Sequence, residues 1–112
     1  MKIIEAILQS SKVDAVKGAL VKVGVRGLTV LEGNGFGNKK GEREIYRGTE
    51  FTPEFVPVVN MRVIVGDEEA QRVIDTIIRS SQTGKAGDGI IFVSGISELV
   101  RISTGETGEK AL

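Results

Sequence analysis

Two periodicities divide the chain. Residues 2–9 carry apolar side chains on both faces of an extended segment, Ile3 and Ile7 flanking Glu5 on one and Ile4, Ala6 and Leu8 on the other. With one carboxylate interrupting the apolar rows, such a strand is expected to be covered on both sides. The period then lengthens. Val13, Val16, Leu20 and Val23 form one helical stripe, with Ser11 as the expected cap, Asp14 three residues on, and Gly24 as the stop. The β-branched and apolar run Leu28–Leu31 predicts a second strand. From Val56 to Val65 the period returns to two, placing Val59, Met61, Val63 and Val65 on one face and Val58, Asn60, Arg62 and Ile64 on the other. Val73, Ile74, Ile77 and Ile78 then mark a second helix with its apolar side toward the core and Asp67 as its cap. Ile90–Val93 reads as a short buried strand, and Val100–Ser103 adds a little more before a glycine-rich, charged tail over about residues 104–112.

The order strand, helix, strand, strand, helix, strand predicts an α+β, ferredoxin-like (βαββαβ) domain spanning residues 1–112, with two helices on one face of a four-stranded antiparallel sheet. A single chain leaves the second face bare. The apolar residues on both faces of the first strand therefore predict a cover, and self-association supplies the simplest one. At this length the chain buries roughly two-thirds of its unfolded surface and needs no staples.

Composition then closes off several chemistries. The chain has no cysteine and no histidine, which removes disulfides, thiolate or imidazole metal sites, and a histidine-based triad. Lys and Arg together equal Asp and Glu at 15 each, so no net field holds a polyanion, and aromatics are too few for base-stacking platforms. Nucleic acid is not an expected partner. No apolar run approaches the ~20 residues of a membrane span, so the expectation is a soluble cytoplasmic protein without direct membrane insertion.

Two segments carry candidate chemistry. Between Thr83 and Phe92, Gly84, Gly87 and Gly89 separate the second helix from the last strand, and glycines adopt positive φ without steric cost. Successive amides in such a turn form a concavity that suits phosphate, or the glycines simply make the connection. The second segment runs from Glu32 to Glu54. It mixes five glycines with Lys39, Lys40, Glu42, Arg43, Glu44 and Arg47, and holds Phe36, Tyr46 and Phe51, with Phe55 just beyond its end. A connection this long in so small a domain is usually functional, and aromatic and arginine side chains are the usual interface anchors. Phe36 and Phe55 have a plainer reading, as side chains packing at the two bases of the loop.

Neither glycine cluster completes a nucleotide fingerprint. Gly35-Phe36-Gly37 would need another glycine at position 40, where Lys40 stands, and Gly84-Lys85 is followed by Ala86 where a Walker motif needs Ser or Thr. The acidic group Asp67, Glu68 and Glu69 reads as the solvated start of a helix rather than a metal site.

Several stretches taken in order nonetheless resemble one family. Gly35-Phe-Gly37, Glu44-Ile-Tyr-Arg-Gly48, Ile74-Asp-Thr-Ile-Ile-Arg79, Gln82-Thr-Gly84, Gly87-Asp-Gly89, Ile91-Phe-Val93 and Arg101-Ile-Ser-Thr-Gly-Glu106 are similar to the PII signal-transduction proteins, over nearly the whole chain. That resemblance implies a ferredoxin-like homotrimer that binds adenine nucleotides between subunits, not an enzyme, with a T-loop at about residues 37–55 that docks on transporters, enzymes or regulators. It maps the base and sugar onto Ile7, Gly27, Thr29, Gly35, Gly37, Val63 and Ile64, and the phosphates onto Gly87, Asp88, Gly89 and Arg101.

The departures from the family pattern shape the expected function. Lys39 replaces the glutamine that helps hold Mg²⁺ and 2-oxoglutarate, and an ammonium has no lone pair for a cation. Val58 replaces a lysine that pairs with a 2-oxoglutarate carboxylate. Asn38, Ile90 and Ser103 replace basic residues near the phosphates, and Phe51 replaces the tyrosine modified in some relatives. The expectation is a regulator that binds ADP or ATP, with AMP a third candidate, and controls a target such as a membrane transporter or metabolic enzyme, with 2-oxoglutarate sensing lost and no metal ion bound. A weak nucleotide phosphohydrolase and a constitutive trimeric adaptor with a vestigial site are the alternatives.

Overall fold

The computed structural model describes residues 1–37 and 54–112. Its elements are β1 (Lys2–Gln9), α1 (Val13–Lys22), β2 (Thr29–Gly35), β3 (Val56–Val65), α2 (Ala70–Ser81) and β4 (Gly89–Gly95), with short 3₁₀ turns at Ser10–Lys12, Asp67–Glu69 and Gly108–Ala111. The strands form one antiparallel sheet in the order β2-β3-β1-β4. This is the ferredoxin-like arrangement predicted from the element order.

Register follows from the alternation. Ile4 pairs with Val63 and Val93, Ala6 with Met61 and Ile91, and Leu8 with Val59 and Gly89, so these rows share one sheet face. The helices cover that face. Ile4, Ala6, Leu8, Met61 and Val63 pack with Val16 and Leu20 of α1 and Val73 and Ile77 of α2 in a single core. Gly24 ends α1 at φ +96°, and the Val25 amide returns to the Leu20 carbonyl at 3.0 Å, satisfying a last-turn acceptor.

Both expected helix caps fail for the same reason. A 3₁₀ turn precedes each helix, so Lys12 and Glu69 occupy the cap positions in helical conformation, with no side-chain cap bond. Ser11 lies inside the first turn. Asp67 opens the second, and its carboxylate instead takes the N-terminal ammonium at 2.8 Å.

Three further expectations are corrected. Ile78 lies on the outer side of α2 and is exposed, because its position is one residue beyond the buried Ile77 row. β4 exists but is not buried: Ile90, Phe92 and Val93 are exposed on an edge strand. Val100–Ser103 forms no strand. Val100 bridges Thr107, and the chain reverses between them with the Gly105 amide on the Arg101 carbonyl at 2.8 Å and Gly105 at φ +72°.

The long connection is entered by continuing strands. Gly35 still pairs with Val56, and beyond it Phe36 and Phe55 meet edge to face with ring centroids 5.5 Å apart. They pack on each other at the two bases of the loop, yet both remain exposed, at 63% and 68%. The predicted T-loop lies mostly outside the described residues, along with Asn38, Lys39 and Phe51.

Candidate functional site

Two regions at opposite ends of the sheet gather the candidate residues. The first is the glycine loop between α2 and β4. Gly84, Gly87 and Gly89 all have positive φ, +82°, +96° and +119°, as the spacing predicts. Gly89 is also a close approach. A Cβ there would stand 2.0 Å from the Ile7 carbonyl oxygen, so no side chain fits while β4 pairs with β1. The loop is held from outside by Gln9, whose Nε2 donates to the Gly87 carbonyl at 2.8 Å.

Inside the loop, the anion is the protein's own. The Asp88 carboxylate accepts from the Thr83 amide at 2.8 Å, the Gly84 amide at 2.9 Å and the Thr83 hydroxyl. These hydrogen bonds, the Thr83 hydroxyl foremost, hold the Asp88 carboxyl below the usual carboxylate range. Asp88 thus shapes the loop. The first two amides of the predicted concavity are already taken, which leaves the stretch beyond Gly84 for any phosphate. Gly35, Ile7 and Ile90 share this end of the sheet, Ile7 directly opposite Ile90, and Gly37 follows Gly35 two residues on in the chain.

The second region is a groove of about 1280 Å³ at the other end. Its floor and rim include Gly27, Thr29, Ile64, Arg101 and Ser103 from the candidate set. Arg101 is oriented by its Nε donating to the Ala111 carbonyl at 3.1 Å, which ties the reversed segment to the C-terminal turn. The same groove is lined by Arg26, Arg62 and Arg72, which sequence reasoning did not single out. Arg72 is paired with Glu69, and the Arg62 Nε lies 3.0 Å from Glu5. Arg62 was discoverable only through register, since it stands opposite Thr29. Val63 belongs to neither region. Its side chain is in the core, pointing away from both.

A single chain does not bring the two regions together. The Leu8 and Gly89 row and the Ile3 and Ile64 row are five residues apart along β1, roughly 17 Å at the usual rise. Among the described residues no group of acidic side chains is placed to hold a metal ion, and no helix is long and apolar enough to cross a membrane.

The comparisons with known proteins agree with this architecture. The family described as Nitrogen regulatory protein P-II matches residues 1–106. The chain is 51% identical over 112 residues to the Nitrogen regulatory protein P-II of Bradyrhizobium diazoefficiens, and 46% identical to Nitrogen regulatory protein P-II 1 of Escherichia coli, covering all of each. Among solved structures, Arabidopsis thaliana PII bound to citrate superposes with a TM-score of 0.81 at 39% identity, over 99% of this chain and 91% of that one. These relatives are named for regulation and not for a reaction. Sequence, topology and full-length similarity converge, and the chain belongs to the P-II family of nitrogen regulatory, signal-transducing proteins.

Proposed function

We propose that the chain assembles as a homotrimer, binds an adenine nucleotide, ADP or ATP, in clefts between its subunits, and uses the segment at residues 37–55 to control a target protein, a membrane transporter or a metabolic enzyme. The observation that carries this reading is the split site. Gly27, Thr29, Ile64, Arg101 and Ser103 line one end of the sheet, while Ile7, Gly35, Gly37 and Gly87–Ile90 gather at the other. One ligand contacts both sets only when the groove of one copy faces the glycine loop of the next. The apolar open face of the sheet, with Ile64, Phe92 and Leu31 exposed, supports the same assembly.

The regulatory step is a difference in binding between two states of the target-docking segment, since a ligand shifts an equilibrium only by its differential affinity. Two substitutions relative to the family pattern, Lys39 and Val58, remove the chelating oxygen and the cationic anchor on which 2-oxoglutarate depends. A metabolite other than 2-oxoglutarate, or the nucleotide itself, then carries the signal.

Calorimetry with AMP, ADP and ATP tests the reading, alongside light scattering for the assembly. Arg101→Ala is expected to weaken nucleotide binding by roughly 1–3 kcal/mol through a lost charge-assisted contact, with a smaller effect on adenosine. Arg101→Lys, which keeps the charge but not the Nε bond to Ala111, separates phosphate binding from anchoring of the C-terminal turn. In the same titrations, millimolar 2-oxoglutarate with Mg²⁺ leaves ATP affinity unchanged. Equal nucleotide affinities for the native chain and Arg101→Ala, or a monomer at micromolar concentration, refute the proposed site.

A further inference from the structure

At the centre of the sheet face that the helices leave open, three polar side chains meet in an apolar setting. Glu5 stands opposite Arg62, and the next open-face row pairs Ile7 with Asn60. One oxygen of Glu5 takes both neighbours: the Arg62 Nε at 3.0 Å and the Asn60 Nδ2 at 3.3 Å. The Glu5 side chain is 15% exposed even in the isolated chain. The Asn60 Oδ1 is buried and receives no hydrogen bond from the described residues. Around this group run Ile3 and Ile7 on β1, Leu31 on β2, Ile64 on β3, and Ile90 and Phe92 on β4.

An orphaned acceptor in such a place carries its full desolvation penalty, so it points to a donor from outside the chain. The donor is at hand on the same surface. Arg62 has committed its Nε to Glu5, its side chain is 44% exposed, and a guanidinium has four more N–H groups. A face that is apolar at its rim and offers both a spare acceptor and spare donors at its centre is complementary to a rotated copy of itself.

We infer that Glu5, Asn60 and Arg62 are a polar contact set completed by a second copy of this chain, in which Arg62 of one subunit donates to the Asn60 Oδ1, beside Glu5, of the next. This rests on the proposed assembly and adds to it a recognition rule. The apolar rim supplies adhesion that tolerates any similar apolar face, whereas the central set penalises a partner that brings no donor, or brings like charge. Assembly is then selective for like subunits. A buried polar group of this kind costs stability and returns specificity, as single polar residues do in coiled-coil interfaces.

The sign of one substitution tests the inference. Asn60→Leu keeps the approximate volume and removes the acceptor. If a partner's Arg62 serves that oxygen, the substitution loosens the trimer, with the dissociation midpoint seen by native mass spectrometry rising about tenfold. If the oxygen is a true orphan, leucine on an apolar face leaves the midpoint unchanged or lowers it, and the inference is overturned. A mixing experiment gives an independent reading. Glu5→Lys and Arg62→Glu each place like charges at the centre of a homomer, so each alone assembles poorly. Combined in equal amounts, they form mixed trimers above the statistical proportion if the contact crosses subunits. Purely statistical mixing means that the pair acts only within its own chain. A native chain that is itself monomeric removes the assembly on which the inference rests, whereas a native trimer indifferent to Asn60→Leu removes the polar set alone.

Discussion

The two faces of the sheet are made from the same strands, yet they meet different fates. On one, Ile4, Ala6 and Met61 are wholly buried beneath α1 and α2. On the other, Ile64 and Phe92 keep about two-fifths of their surface in water, at 40% and 42%. The described helices cover only the first; the second is apolar at its rim and carries Glu5, Asn60 and Arg62 at its centre. Cover for the first face is encoded in cis, whereas in the proposed assembly cover for the second comes from another copy, so the energetic worth of an apolar residue depends on which side of the pleat it occupies.

Truncation on each face is the sharpest way to break that contrast. Met61→Ala opens a cavity in the shared core and is expected to cost about 2–5 kcal/mol at any protein concentration. Phe92→Ala should behave otherwise. Its cost is small under conditions where the chain is a monomer and grows with concentration as the chain assembles, because the lost contacts are made by a partner. Chemical denaturation of both variants across a hundredfold concentration range checks this. Parallel concentration dependence for the two would mean that the open face is not covered by self-association.

The edge strand β4 offers a second contrast along its own length. Gly89 begins it at φ +119° with the Ile7 carbonyl against the position of a Cβ, whereas a Cβ at Gly95, which ends it, would meet no described atom within 4 Å. Gly89→Ala combines left-handed strain with a clash that the β1–β4 ladder cannot relieve, and is expected to cost roughly 3 kcal/mol. Gly95→Ala is expected to change stability by less than about 0.5 kcal/mol. Thermal melts of the two variants distinguish them. Equal losses would show that β4 is insensitive to the approach at its start.

What the sequence discloses and what it hides divide along similar lines. The faces of β1 and β3 were readable because strict alternation survives through eight to ten residues. The end of α1 was readable because Gly24 supplies a conformation that other residues avoid. Helix starts are less legible, since Ser11 and Asp67 have the chemistry of caps but fall in 3₁₀ turns that no side-chain pattern distinguishes. The continuous apolar run Ile90-Ile91-Phe92-Val93 reads as a buried strand, and the same run also fits an edge strand that leaves Ile90, Phe92 and Val93 exposed. Of the candidate site, the positive-φ glycines of the loop follow from spacing and Arg101 from the resemblance. The arginines that join Arg101 in the groove were not, because Arg26, Arg62 and Arg72 come together only through register and the turn after α1.

The smallest expected effect lies in the glycine loop, where the contrast is between an internal anion and an external one. Asp88 holds the Thr83 and Gly84 amides as a carboxylate, and its pKa is lowered chiefly by the Thr83 hydroxyl and then by the Thr83 amide. A carboxyl whose folded pKa lies below its unfolded value contributes stability above the unfolded value and loses it as pH falls through the folded one. The loop is therefore expected to keep its form through mildly acid pH and to loosen only below the ordinary carboxylate range. Because Asp88 faces solvent, the effect is local: Asp88→Asn leaves global stability nearly unchanged, while hydrogen exchange at the Thr83 and Gly84 amides accelerates, since an amide oxygen is a weaker acceptor than a carboxylate. An NMR titration of the Asp88 side-chain carboxyl, followed with amide exchange from pH 7 to pH 3, measures both. An Asp88 midpoint at or above the ordinary carboxylate value, with exchange rates equal in native chain and variant, would show that the loop holds its shape without its own anion and leaves those amides open to a ligand's phosphate.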